Sequence, residues 1–396
     1  MSKVVIRINF LNEGVGMERI YLDHAATTPM HPKVIEKMME VMNLTFGNPS
    51  SIHSFGREAR HYIDLARETL ARSIGAKENQ IIFTSGGTEA DNMALFGTAE
   101  SYQHNGKHII TSQVEHHAVL HACQRLEKMG YEVTYLPVDE TGQISLTDLS
   151  GALRDDTILV SIMFGNNEVG TLQPIKEIGG LLEGHQAIFH TDAVQAYGME
   201  EFDVNEAKID LLSVSAHKIN GPKGTGFLYV RENVKLVPRS FGGEQERKRR
   251  AGTENVAAIV GFQAAVKIAM EERSMKREKY EQFKRILIQR LEEHGIEFSL
   301  NGLLEKSMPH VLNLSFPGTN VEAMLVNLDL AGIAVSSGSA CTAGSIEPSH
   351  VLVAMFGKNS ERLVNSIRFS FGFNTTEEQI IKTAEETSKI VSRLKK

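Results

Sequence analysis

The chain has 396 residues, 41% hydrophobic and 23% charged, with 33 Gly and 10 Pro. These values exclude a disordered, collagen-like or coiled-coil chain and suggest two or three domains at ~150 residues each. Lys plus Arg number 42 against 49 Asp plus Glu, for a net charge of −7, which argues against nucleic-acid binding over a broad face but not against local contact with RNA.

The only cysteines are Cys123 and Cys341. They supply neither a disulfide framework nor a four-cysteine zinc site, and they point to a reducing compartment. No apolar run approaches the ~18 residues of a membrane helix, and Arg7 and Asn9 interrupt the only apolar stretch at the N-terminus. A cytoplasmic protein without membrane contact is expected. Residues 1–16 differ in character from the rest of the chain, so Met17 is a candidate start, with 1–16 as an upstream extension.

Short β-rich runs then fall at 80–84, 107–111, 132–137, 157–164, 187–191, 210–215 and 224–230. Helical patterns such as 57–74 and 118–129 lie between them. Strand and helix in alternation predict an α/β fold with a mainly parallel sheet covered on both faces. A long amphipathic stretch at 257–293, stopped by Gly295, bridges into a second domain with strands at 310–316, 333–336 and 366–371. A last helix begins near Thr376, where Thr375 and Glu378 have capping-box spacing.

Ligands of open α/β sheets bind beyond the carboxyl ends of the strands, so the residues just past each run matter most. They are Ser85-Gly86-Gly87-Thr88, Glu115-His116-His117, Asn166-Asn167-Glu168, Asp192 with Gln195, and Ser215-Ala216-His217-Lys218. The first suits a phosphate at a helix start, and equally an ordinary tight turn with a threonine cap. Lys218 reads as a Schiff-base amine freed by burial, or as a surface loop lysine. Asp192 reads as the partner of a heterocyclic nitrogen, as a helix N-cap, or with His190 as half of a metal site lacking a third ligand. His116 suits ring stacking or proton transfer, or else a satisfied core position. Gly165 to Thr171 lacks the lysine of a Walker loop.

Cys341 stands among small polar residues, Ser336-Ser337-Gly338-Ser339-Ala340-Cys341-Thr342-Ala343-Gly344-Ser345. A thiol in such a wet loop is favoured as a nucleophile over a spectator. Cys123, beside Ala122 and Leu126, reads as packing. The run Glu246-Arg247-Lys248-Arg249-Arg250 reads as a solvated loop, with a local anion contact as the alternative.

Taken in order, the phosphate turn, His116, Asp192-x-x-Gln195, Ser215-x-His217-Lys218 and the Ser336–Cys341 loop resemble the pyridoxal-phosphate (PLP) cysteine desulfurases of the class V aminotransferase family. Leu22-Asp23-His24-Ala25-Ala26-Thr27-Thr28-Pro29 and Phe46-Gly47-Asn48-Pro49-Ser50 fit as well, and the long cysteine loop places the resemblance in one subgroup. The resemblance implies a PLP-dependent transferase of fold type I, with a large domain on a mainly parallel seven-stranded sheet plus a smaller α+β C-terminal domain. The large domain would span 28–260. The small one would comprise 17–27 and 261–396 and carry the mobile loop 336–345.

The same resemblance implies that Lys218 carries the cofactor and His116 stacks on its ring. It implies further that Asp192 pairs with the ring nitrogen and Gln195 bonds the phenolic oxygen. Gly87, Thr88, Ser215, Ala216 and His217 would hold the phosphate end, with Thr253 reaching in from the second subunit of a homodimer. Asn167 contacts cofactor and substrate, and Arg368 holds the substrate carboxylate. Catalysis would fall to Cys341, Lys218 and His116. No metal site is expected beyond transient ligation of an iron–sulfur cluster by Cys341. The implied reaction removes sulfur from L-cysteine, leaving L-alanine and a persulfide on Cys341 for an iron–sulfur scaffold or a tRNA thiouridylase. The end at Lys396, without a longer tail, tilts this expectation toward tRNA 2-thiolation. A selenocysteine lyase or another class V enzyme is the nearest alternative, and a sulfur-relay protein with a vestigial cofactor site is a more distant one.

Overall fold

A computed structural model describes residues 19–337 and 348–395. Cys341 and Met17, and with Met17 the expectation about the start, therefore lie outside the described residues.

The strands in chain order are β1 (Ile20–Tyr21), β2 (Ile81–Thr84), β3 (His108–Ser112), β4 (Glu132–Leu136), β5 (Thr157–Ser161), β6 (Ile188–Asp192), β7 (Leu211–Ser215), β8 (Gly226–Val230), β9 (Ser299–Asn301), β10 (Val311–Ser315), β11 (Ile333–Ala334) and β12 (Ser366–Ser370). Strands β2 to β8 form one seven-stranded sheet in the order β2-β8-β7-β6-β5-β3-β4. All its pairings are parallel except the two made by β8. The sheet is apolar where helices cover it: β2, β3, β5, β6, β7 and β8 are buried along their whole length. The edge strand β4 is largely half-buried. This is the division expected of a doubly covered sheet. The chain leaves β3 outward to β4 on one side and runs through β5, β6 and β7 on the other, so the direction of winding reverses between β3 and β5. The loops that leave those two strands part there and open a crevice.

The 38-residue helix Val256–Glu293 joins two cores. Its first half sends Ile259, Phe262 and Val266 into the core around the seven-stranded sheet. Its second half sends Tyr280, Phe283, Leu287 and Leu291 into a separate core. The Asn255 side chain accepts from the Ala258 N–H at the start, and Gly295 takes φ +65° just past the end. The second core lies against the antiparallel sheet β12-β10-β9 and the parallel pair β1-β11, and it buries Ile20 and Leu22 from the start of the described chain.

Two expectations need correction. The capping box on the last helix, Glu377–Leu394, is formed by Thr376 and Gln379, not by Thr375 and Glu378. Thr375 instead accepts from the Gly372 N–H at 3.0 Å within the preceding turn. The run 246–250 is not simply solvated. Glu246 is buried and takes a two-pronged contact from Arg67 at 2.7 and 2.8 Å and the Phe83 N–H at 3.0 Å. Glu246, Arg247 and Lys248 reach this arrangement with positive φ.

Candidate active site

The carboxyl ends of the sheet open into a cavity of about 490 Å³, within the usual range for small-molecule sites. It is lined by Gly87, Thr88, His116, Asn167, Asp192, Gln195, Ser215, His217, Lys218 and Arg368, drawn from loops after five strands and from β12. The structure thus brings together ten of the twelve predicted site residues that lie within its described part.

Two are placed elsewhere. Thr253 is exposed and lies in a separate depression beside Arg250 and Glu254. Ala216 is fully buried and reaches the site only through its backbone neighbours; its N–H donates to the Thr225 carbonyl at 3.1 Å.

Lys218 is fixed by the segment just after β1. Its ammonium donates to the carbonyls of Ala25 at 2.5 Å and Ala26 at 2.9 Å. Burial pushes its pKa down to about 8, assisted by the positive Arg368 and opposed by Asp192 and Asp23. It is therefore not a solvated loop lysine. Asp192 accepts the Val194 N–H at 2.8 Å, and burial raises its pKa to about 6. His116 caps the helix His117–Glu127, accepting the Ala118 N–H on Nδ1 at 3.1 Å, which leaves Nε2 toward the cavity. Burial, then Lys218 and the neighbouring imidazoles, lowers its pKa to about 4. Lys218 is thereby brought within reach of neutral pH, where a proton-transfer group works best, and His116 is held in its neutral form.

His190 is buried between Ser161 and Ser213, at 2.8 and 3.0 Å, which supports a satisfied core histidine rather than a metal ligand. Cys123 is fully buried and burial raises its thiol pKa, in keeping with packing.

Arg368 is not a surface-paired strand arginine. Its Nη2 meets Asp23 at 2.7 Å and its Nη1 donates to the Asn167 carbonyl at 2.9 Å, while its buried Nε has no hydrogen-bond partner among the described residues. The cysteine loop departs from the same place. Ser336 forms a bridge with Arg368, and Ser336 and Ser337 line the cavity. Where the chain is next described, Ser349 donates to the buried Glu168 carboxylate at 2.5 Å.

Asp23, Ala25 and Ala26 enter the sequence reading only as part of a fitting motif, with no role, while Asp91 and His310, whose Nε2 lies 3.3 Å from Gln195 Oε1, escaped it. Asp91 carried a signal, because it falls one helical turn after Gly87 and Thr88 and so shares their helix face. His310 carried none, since its partner is 115 positions away.

The class V aminotransferase family matches residues 20–382. The chain belongs to the class V aminotransferases. A putative cysteine desulfurase IscS 1 of Bacillus subtilis (strain 168) is 61% identical to it over 96% of this chain and all of that protein. A cysteine desulfurase IscS of Dictyoglomus turgidum is 48% identical over 95% of each. Among solved structures, a NifS-like protein superposes with a TM-score of 0.89 at 36% identity over 95% of this chain and all of that one. DndA from Streptomyces lividans gives 0.76 at 40% identity over 88% of this chain and 99% of its own. Class V aminotransferases are PLP-dependent enzymes as a group, and the residues present suit that cofactor. At the phosphate end, the 16-residue helix Gly87–Tyr102 begins at Gly87, where a Cβ would come within 2.6 Å of Val194 Cγ2, so any larger residue must push Val194 aside. Gly86, Gly87, Thr88, Ser215 and His217 surround that helix start, where N–H groups and the helix dipole favour an anion. At the ring end stand a buried carboxylate, an imidazole and a lone amine of lowered basicity, the donor set a protonated pyridine aldehyde requires.

Proposed function

We propose that the chain is a PLP-dependent cysteine desulfurase that removes sulfur from L-cysteine, releases L-alanine and holds the sulfur as a persulfide on Cys341 for transfer to an acceptor. The single observation that carries this reading is the meeting of Lys218, Asp192, His116 and Arg368 in one cavity whose wall continues into the Cys341 loop. PLP, when bound, supplies an electron sink for the substrate's α-carbon.

Lys218 would hold the cofactor, and its freed Nζ would take the substrate's α-proton; its lowered basicity supports that role. Asp192 keeps a proton on the ring nitrogen, His116 stacks on the ring and moves a proton through Nε2, and Gln195 binds the phenolic oxygen. Gly87, Thr88, Ser215 and His217 hold the phosphate, with Thr253 contributed by the second subunit of a homodimer; Ala216 supports them from behind as the buried link between Ser215 and His217. Asn167 and Arg368 orient the substrate carboxylate, for which the unpartnered Nε of Arg368 is a ready donor. The Cys341 thiolate attacks the substrate sulfur. An S–S bond forms and the C–S bond breaks, its electron pair staying with the carbon, which is protonated and leaves as L-alanine.

Within this reading the large domain spans 28–260, and 17–27 with 261–396 form the small one. Among the described residues no helix is long and apolar enough to cross a membrane, and a cytoplasmic setting completes the proposal. Sulfur passes to a tRNA thiouridylase, with an iron–sulfur scaffold as the competing acceptor. Cys341→Ser is expected to keep the yellow cofactor band and lose alanine production. Full turnover by that variant overturns the nucleophile assignment, and persulfide trapping with each candidate acceptor decides between them.

A further inference from the structure

Beneath the ring slot lies a second acid that the proposed chemistry leaves unused. Asp91, on the helix Gly87–Tyr102, is 1% exposed, and its Oδ1 has no hydrogen-bond partner among the described residues. One carboxylate oxygen from each of Asp91 and Asp192 and one ring nitrogen of His116 lie within 4.8 Å of one another. His190 Nε2 on β6 stands 3.6 Å from the same Oδ1 but is engaged by Ser213 at 3.0 Å. Glu115, beyond β3, is fully buried with its own pKa raised to about 8, and whatever negative charge it carries disfavours an ionised Asp91. Among the described residues the cation that bears on the pair is Lys218, and it acts on Asp192.

Two carboxylates with oxygens within 4.8 Å of each other, both buried and with a neutral histidine behind them, disfavour double ionisation, so one of the pair carries a proton. Burial, then the charge of Asp192 and more weakly of Glu115, drive the pKa of Asp91 well upward, against a contact with Ser213 that favours its charged form. Burial raises that of Asp192 less, because the Val194 N–H and Lys218 favour its charged form. The proton therefore belongs on Asp91. We propose that Asp91 is a positioning residue that stays protonated under the ring slot, so that the single negative charge of the buried pair resides on Asp192 and its carboxylate is held toward the cofactor nitrogen.

This rests on the reading of Asp192 as the ring-nitrogen partner, and the test separates the two. Wild type, Asp91→Asn and Asp91→Ala are loaded with PLP labelled with ¹⁵N in its ring. The cofactor dissociation constant and the pH titration of the ring-nitrogen shift are measured for each. Asparagine replaces a neutral acid by a neutral amide of the same shape, so Asp91→Asn is expected to match wild type in both. Alanine removes the neutral polar group packed beside Asp192, and cofactor binding is expected to weaken about tenfold, or ~1.4 kcal/mol. A tenfold or larger displacement of the ring-nitrogen equilibrium in Asp91→Asn means that Asp91 was ionised, and overturns the inference. Equal behaviour of the alanine and asparagine variants overturns it as well. A wild-type protein whose ring nitrogen is unprotonated at neutral pH instead removes the reading of Asp192.

Discussion

Desolvation strips both Lys218 and Lys284 of much of their basicity, to a pKa of about 8 for Lys218 and about 7 for Lys284. Both donate to backbone carbonyls, Lys218 to Ala25 and Ala26, Lys284 to Met308 at 2.7 Å with Ser307 Oγ at 3.1 Å. Their surroundings differ. Lys218 follows β7 and ends in a cavity lined also by Asp192, His116 and Arg368, at the carboxyl ends of the mainly parallel strands. Lys284 lies on the second half of the long helix, 2% exposed, beside the apolar cluster of Tyr280, Phe283 and Leu287. Desolvation alone makes an amine neutral; a nucleophile also needs room for a reactant and a partner to receive charge.

The sharpest way to break this comparison is to remove each amine in turn. Lys218→Ala is expected to lower the rate of alanine formation by ~10²–10⁴-fold or more, the span of a lost positioned proton transfer, and to abolish borohydride trapping of the cofactor. Lys284→Met is expected to leave both unchanged. If borohydride still fixes PLP in Lys218→Ala, or if Lys284→Met loses the trapped adduct, the cavity is not what distinguishes the two lysines.

A smaller effect is expected at Arg368. Its fork is already divided between Asp23 and the Asn167 carbonyl, with Nε left over. A lysine keeps the charge but cannot meet Asp23, Asn167 and a substrate carboxylate together. Arg368→Lys is expected to raise KM for L-cysteine roughly tenfold to a hundredfold, which corresponds to about 1.5–3 kcal/mol, with a smaller change in kcat. An unchanged KM would show that the carboxylate is held elsewhere.

How much of the molecule was legible before folding depends on the range of the interactions. The seven strands of the large sheet were readable because each is a short apolar run closed by turn residues, and the strand-end rule then pointed to Lys218, Asp192 and His116 without any contact map. The long helix was readable from its spacing. What stayed hidden was set by chance proximity in space. The Ala25 and Ala26 carbonyls meet Lys218 across 193 and 192 positions, and Glu246 meets Arg67 across 179. A basic run around one acid looks solvated in the sequence, because nothing local announces that its glutamate will turn inward. The capping box moved by one residue for a simpler reason: adjacent threonines offer two registers, and the turn took Thr375 for itself.

The last difference between the two lysines is one of stability rather than rate. The folded-state pKa of Lys284 is depressed, from an ordinary ~10.4 to about 7, chiefly by burial, with Glu281 the main opposing influence. Above pH ~10.4 the amine is neutral whether the chain is folded or not, and the core bears no penalty. As the pH falls from there to about 7, the unfolded chain gains a proton that the folded chain refuses, so stability is lost across that window and levels off below it. At ~1.4 kcal/mol per unit the loss is a few kcal/mol, part of which the bonds to Ser307 and Met308 return. Methionine has a similar length and no charge to desolvate, so Lys284→Met is expected to be more stable than wild type at pH 7 and to lose that advantage toward pH 10. Urea unfolding at the two pH values measures the difference. A constant gap would mean that Lys284 is charged in the folded core, and its likeness to Lys218 would then end at burial.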